Sequence, residues 1–525
     1  MTIFPYRTSV VSRAARLDEA DMVAGMREPH AAVAKAASAD DRRSALLRTW
    51  VLIMLFLALG SALAFTGAGP VAAIGRHVSF AANEGWNAYW AESALAGRAL
   101  YTSPSSPITN NYTPLSFYIV GWLGHRLGDV IVAGRIVCLA ALLGCAVLVR
   151  QIVVELGGTQ RWALAAALCL LLFVAAAAPT YVAANDPQWL AELPMLVALV
   201  LLVRRGSTPG FARLSIACGM MLLSGLIKQS GIALPIAVTV WLTLTDRRAL
   251  RIWIMIAAVA GIAALAWLHR FGPTAISEIL GHERVLHVGL LASAAKTLTP
   301  LLPAMLFAVV LARARRVRSL PFDRNLLLVF LFAGVALVLG IVERMGTGTA
   351  QSVHFDAAIA LFIIAGLALS RGDMSNHALV ASWPRLAAFA LLIVPMIGTA
   401  FIHNPGAIGR IAGQDEAEKD TERAVALVRA MPGAVACERL AICYWAGKPF
   451  ILDFSNYGQK LRRHDPAGLE RAIERRAFSA ILSVRDKRYA AYNSRLPLSY
   501  NRLIEANYRV RQILPDGIYL LVPRK

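Results

Sequence analysis

The chain has 525 residues, of which 57% are hydrophobic and only 16% charged, with a mean hydropathy of +0.57. A soluble protein of this length needs far more polar surface, so a wholly soluble fold is excluded. The formal net charge of +21 does not indicate nucleic acid, because the arginines fall in short clusters between apolar runs, as in membrane-protein loops.

In chain order, residues 1–48 form a polar leader rich in Ala, Asp, Arg and Ser. It is too long for a signal-peptide n-region and its composition predicts disorder. Apolar runs follow at 49–65, 130–153, 162–178, 189–203, 215–226, 232–244, 252–268, 298–311, 326–342, 353–369 and 386–401. Each approaches the length that crosses roughly 30 Å of hydrocarbon, so the chain reads as a polytopic α-helical membrane protein with about eleven spans.

The positive-inside rule orients these spans. Basic clusters at 41–48, 204–205, 246–251, 313–324 and 371–385 belong in the cytoplasm. The parity then requires that a further apolar stretch, 115–123, lie along the outer side without crossing. The N-terminus is therefore expected inside. A long first outer loop, 66–129, and shorter outer loops at 180–188, 228–231, 271–297 and 343–352 collect most of the carboxylates, amides and histidines near the membrane. Beyond residue 402 the hydropathy changes. Residues 403–525 read as a small α/β domain on the outer side, with strands at 434–437, 450–453 and 478–484, helices at 466–476 and 498–508, and a hairpin around Pro515-Asp516-Gly517.

The first outer loop is the richest polar-aromatic segment. Trp86, Tyr89, Trp90, Ser93 and Ala94 recur at helical spacing, which predicts an interfacial helix ended by Gly97. At its start, Glu84 has two readings: a general base whose pKa the apolar boundary raises, or a first-turn acid behind an Asn83 cap. Asp186, in Asn185-Asp186-Pro187-Gln188, reads as a helix cap or as a cavity-lining acid. Lys228, basic on the outer side, reads as a phosphate-binding point charge or as a snorkelling side chain. His282, Glu283 and His287 fit no metal-binding signature, and Arg284 among them suits a phosphate. His354 and Asp356 open a span, where polar groups are commonly functional.

Taken in order, these features resemble the GT-C superfamily of polytopic glycosyltransferases, in the branch with protein O-mannosyltransferases and lipid A aminoarabinose transferases. The resemblance rests on EGWNAYWAESALAGRALY, NNYTPLSFYIVGWL, AGRIVCLAALLG, NDPQWL, LIKQSGIALP, GTGTAQSVHFDAAIALFIIAGLAL and CERLAICYWAGKPFILDFSNYGQ. It implies a bacterial inner-membrane enzyme with a periplasmic C-terminal domain and no cofactor. The substrates it implies are a polyprenyl-phosphate-linked sugar donor and a glycolipid, polysaccharide or protein acceptor, with transfer to a hydroxyl by inversion. Glu84 matches the second acid of the family's Asp-Glu pair, whereas Asn83 stands where the family usually has Asp. The base role therefore passes to Glu84 or Asp186. Asn111-Tyr112-Thr113-Pro114 replaces a Glu-Lys-Pro-Pro stretch, so Lys228 or Arg284 must supply the lost cation, while Tyr112, Asn185, His354 and Asp356 remain substrate-binding candidates. Cys437 and Cys443 form a disulfide or stay reduced. A transporter or flippase of lipid-linked sugar and a catalytically silent relative are the competing readings.

Overall fold

The structure, a computed structural model, describes residues 15–103, 105–204, 209–281, 286–317, 323–346, 348–371, 382–461, 468–484 and 495–525. The helices are α1 (Ala15–Ala72), α2 (Asn83–Leu95), α3 (Leu115–Leu127), α4 (Val130–Glu155), α5 (Gln160–Ala177), α6 (Gln188–Val203), α7 (Phe211–Ile227), α8 (Ala233–Thr245), α9 (Arg247–His269), α10 (Ala275–Leu280), α11 (Leu291–Lys296), α12 (Leu302–Val317), α13 (Arg324–Arg344), α14 (Phe355–Ser370) and α15 (Trp383–His403). After α16 (Ala407–Ala412) and α17 (Gln414–Ala430) the chain alternates β1 (Val435–Cys437), α18 (Leu440–Trp445), α19 (Asn456–Leu461), α20 (Gly468–Glu474), β2 (Ala480–Val484), α21 (Leu498–Asn507), β3 (Tyr508–Leu514) and β4 (Ile518–Pro523). Two compact units result, residues 1–57 with 373–390 and residues 58–372 with 391–525. The C-terminal sheet and the candidate site lie in the second.

The protein is a helical polytopic membrane protein. Among the described residues, 7 helices are long and apolar enough to span a bilayer, or 8 if a pair bent by 43°, Val288–Lys296 with Thr299–Arg313, counts as one. The shorter apolar helices Gln188–Val203, Phe211–Ile227 and Ala233–Thr245 accompany them. Every apolar run read from the sequence falls on one of these helices. One difference lies at the N-terminus, where α1 begins at Ala15, inside the stretch expected to be disordered.

Local sequence fixes the helix ends that matter. Gly128, at φ 82°, terminates α3. The next residue, Asp129, caps α4 by accepting from the amides of Ile131 (2.7 Å) and Val132 (3.1 Å), so two helices meet at one sharp corner. Gly97, at φ 66°, closes α2 as its spacing predicts.

The C-terminal sheet has strand order β1-β2-β4-β3, with β1 parallel to β2 and the other pairs antiparallel. Residues 450–453, expected as a strand, form no ladder. The Asp453 amide instead donates to the Pro107 carbonyl at 2.9 Å, tying the domain to the first long loop. The aromatic face of α2 also differs from expectation. Trp86 and Trp90 are buried in a core that includes Cys443, Leu482 and Leu520 of the C-terminal domain. Tyr89 stacks on Phe450 at 5.2 Å. Protein rather than lipid headgroup covers that face, because the sheet domain offers the apolar partner that an isolated α2 lacks.

Candidate active site

The acid that opens α2 is enclosed. Glu84 and Arg135 are each 0% exposed. Their ion pair is bidentate, Nε to Oε1 at 2.8 Å and Nη2 to Oε2 at 3.0 Å. Glu84 also accepts from the amides of Phe80 (2.7 Å) and Asn185 (3.2 Å). Arg135, on α4, donates further to the carbonyls of Ala73 (3.1 Å), Ile74 (3.2 Å), Arg76 (2.7 Å) and Val78. It thereby satisfies carbonyls left open where α1 ends. The Phe80 ring lies 4.2 Å from the guanidinium carbon. A buried charge pair is tolerable only when its remaining polar atoms are satisfied, and here the ends of α1, α2, α4 and the 183–187 loop meet to satisfy them.

That loop carries Asn185 and Asp186. Asn185 Nδ2 donates to the Glu84 backbone carbonyl (3.1 Å), and the Asn185 backbone carbonyl accepts from Asn87 Nδ2 (2.7 Å). Its side chain lies directly on Gly134, where a Cβ would come 1.8 Å from Oδ1. Asp186 is thus held from behind, and its carboxylate turns toward a cavity of about 720 Å³. Oδ2 accepts from Asn83 Nδ2 at 2.6 Å, and Oδ1 accepts from Lys228 Nζ at 2.9 Å and from the Gln188 amide at 2.9 Å. Lys228 Nζ sits 4.9 Å from the centre of the Tyr112 ring. Burial works to lower the Lys228 pKa, but the Asp186 carboxylate beside it outweighs that effect, so the pKa is raised and the ammonium stays charged.

Asn83, Tyr112, Asp186, Lys228 and Asp356 all line this cavity, whereas Glu84, Asn185 and His354 do not. His354 is buried, and its Nε2 hydrogen-bonds Thr297 Oγ1 at 2.7 Å. Arg284, with His282 and Glu283, lies outside the described residues. Several lining groups drew no attention in the sequence. Glu192, on α6, accepts from Gln188 Nε2 at 2.8 Å and hydrogen-bonds the Asp356 carboxyl. From the C-terminal domain, Asp453 accepts from Trp86 Nε1 (2.9 Å) and Asn456 Nδ2 (2.8 Å). Burial raises the Asp453 pKa, against the lowering effect of those donors. Arg495 pairs with Glu438 at 3.7 Å, and Gln459 completes that wall. A single charge inside an apolar run is the signal that was available for Arg135 and Glu192. Nothing local marks Asp453 or Gln459. Cys437, at the cavity wall, is disulfide-bonded to Cys443.

By sequence, the chain matches no protein-family model and no characterised protein. By structure it is similar to ArnT from Cupriavidus metallidurans in the apo state, with TM-score 0.58 and 14% identity, over 89% of this chain and 97% of that one. The same protein bound to undecaprenyl phosphate gives TM-score 0.55 and 13% identity, over 89% and 97%. An Archaeoglobus fulgidus oligosaccharyltransferase tethered to an acceptor peptide gives TM-score 0.52 and 12% identity, over 91% of this chain and 74% of that one. These are GT-C membrane glycosyltransferases, and the chain has their fold.

Proposed function

We propose that the protein is an inverting glycosyltransferase of a bacterial inner membrane, moving a sugar from a polyprenyl-phosphate donor to an acceptor hydroxyl at the periplasmic face. The observation that carries this reading is the Asp186–Lys228 pair on the cavity wall, in a fold shared with a protein solved with undecaprenyl phosphate bound.

Asp186 is the base in this account. It takes the proton of the acceptor hydroxyl as that oxygen bonds to the anomeric carbon. The bond from the anomeric carbon to the phosphate oxygen breaks, and its electron pair leaves on the polyprenyl phosphate. Lys228, swinging from Asp186 to the phosphate, neutralises the charge developing there and frees the carboxylate to act. Asn83 keeps an amide on Asp186 Oδ2, which fixes the carboxylate's orientation at the cavity wall. Tyr112 lies beside the ammonium, placed to contact sugar or phosphate. Glu84, locked to Arg135, positions the 183–187 loop. Asn185 orients it, and His354 with Asp356 and Glu192 supports the α14 wall. Arg284 remains a candidate for the phosphate.

The test is carrier release. Purified protein in lipid nanodiscs, given undecaprenyl-phosphate-linked sugars and membrane glycolipid acceptors, is expected to liberate undecaprenyl phosphate in step with acceptor glycosylation. Movement of intact lipid-linked sugar between leaflets without transfer would replace this reading with the transporter.

A further inference from the structure

Lys228 has two neighbours of different kinds. Its Nζ donates to Asp186 Oδ1 at 2.9 Å. It also lies 4.9 Å from the centre of the Tyr112 ring, within the range at which an ammonium is attracted to an aromatic face. The Lys228 side chain is 9% exposed and that of Asp186 2%, so little water screens either contact, and a desolvated cation–ring contact is the stronger kind. Asp186 takes one of the ammonium's three hydrogens, and no other acceptor among the described residues takes a second.

The ring is held in place from several sides. The Tyr112 amide donates to Asn110 Oδ1 at 3.0 Å, and the Tyr112 carbonyl accepts from Tyr101 Oη at 2.8 Å. Trp86 packs edge-to-face against the ring, with 5.0 Å between centroids and 72° between planes. The indole is itself anchored, its Nε1 donating to the Thr109 carbonyl (3.2 Å) and to Asp453 Oδ2 (2.9 Å). The loop that carries the lysine is tied to the same segment, because Gln229 Nε2, on the residue after Lys228, donates to the Asn111 carbonyl. Two segments distant in sequence thus hold ring and ammonium together, and both side chains line the cavity.

We infer that Tyr112 is a positioning residue for sugar transfer and acts through its ring: the aromatic face keeps the Lys228 ammonium at the cavity wall while it exchanges the Asp186 carboxylate for the donor phosphate. The inference rests on the proposed use of a polyprenyl-phosphate donor and of Lys228 to hold its phosphate. In the free protein the ammonium has two anchors, the carboxylate and the ring. Once it turns to the phosphate the carboxylate is released, and the ring is the anchor that stays. The ring therefore matters more to the complex than to the free protein, and its removal weakens binding of the carrier. The phenol hydroxyl is not part of this role.

The experiment measures binding of bare undecaprenyl phosphate to the full-length protein in nanodiscs. Tyr112→Leu is expected to weaken it by about fivefold to tenfold. Tyr112→Phe, which keeps the aromatic face, should bind the carrier more tightly than Tyr112→Leu does. In a Lys228→Met background the difference between phenylalanine and leucine should vanish, because the ring then has no cation to hold. A second series keeps the shape nearly constant. Phenylalanines with one, two and three ring fluorines at position 112 drain electron density from the face, so affinity should fall stepwise along the series, with thermal melts reporting that each variant is folded. Should Lys228→Met bind too weakly for comparison, the fluorine series decides alone. Equal binding by Tyr112→Leu and Tyr112→Phe, an undiminished difference in the Lys228→Met background, or a flat fluorine series would overturn the inference while leaving the donor assignment intact. Failure of the wild type to bind bare undecaprenyl phosphate would instead remove the donor assignment, and the inference with it.

Discussion

Asn83 and Asp186 come from segments a hundred residues apart in the chain, yet an amide of one rests on the carboxylate of the other at 2.6 Å. Asn83→Asp would set two carboxylates face to face, and such a pair must share a proton. The pKa of the pair rises, so the base form is lost near neutrality. Transfer by Asn83→Asp should therefore be weak at neutral pH and recover as pH increases, shifting the acid limb of the pH–rate profile upward. An unshifted limb would separate Asn83 from the base. Glu84 calls for a different expectation. Glu84→Ala strands the fully buried Arg135 without its counter-charge, which costs about 3–5 kcal/mol of stability. A thermal melt should show a large loss, whereas a surface-exposed acid would show almost none. The sequence displays Asn83, Glu84 and Asp186 as candidates but gives each a capping alternative, because i to i+3 patterns do not reveal which carboxylate meets an arginine fifty residues away. Pairing across distant segments separates the two acids: one is consumed by Arg135, while the other faces open space.

At the scale of elements, two glycines show how closely the parts approach. A Cβ on Gly85 would stand 2.2 Å from the Ala441 nitrogen, so α18 rests on the first turn of α2. A Cβ on Gly134 would displace Asn185, and with it the loop that aims Asp186. Gly134→Ala is expected to lower transfer by about a hundredfold, since misplacing a catalytic group by about an ångström has that effect. It should leave the C-terminal sheet intact, as read by protease resistance of the 403–525 region. Retained activity would mean that Asn185 does not orient Asp186. Asp453 gives a second prediction at this scale. Its carboxyl is buried and its pKa raised, so the native state holds a proton that the unfolded chain has already released. Stability therefore falls as pH rises through the interval above the ordinary carboxylate range, and the fall ends once the native group also ionises. Asp453→Asn, which keeps an oxygen for Trp86 Nε1, should flatten that part of the stability–pH curve. An identical slope in wild type and variant would contradict the assignment.

The whole molecule shows which properties reside in composition and which in tertiary contact. Apolar runs announce the spans directly, because bilayer thickness imposes a length that any periodicity scan recovers. The soluble sheet is nearly as legible, since β1 and β2 are short continuous apolar runs, buried almost throughout, and Pro515-Asp516-Gly517 marks the turn of the hairpin β3–β4. Residues 450–453 read as a strand for the same reason, but their backbone pairs with Pro107 instead. The α2 tryptophans suggested a membrane interface, because sequence shows that an apolar face exists and not what covers it. The cavity is the least legible feature. Its walls come from α2, the loops before α6 and α8, α14 and α19, and no local pattern links Gln459 to Asp356.

The most direct test of the central claim is sugar transfer by full-length protein in nanodiscs, from a panel of undecaprenyl-phosphate-linked sugars to membrane glycolipid acceptors, comparing wild type with Asp186→Asn. Loss of a positioned general base predicts turnover reduced by about a hundredfold or more, with undecaprenyl phosphate still bound. Turnover by Asp186→Asn within a few-fold of wild type would contradict the account and return the base role to another acid on the cavity wall.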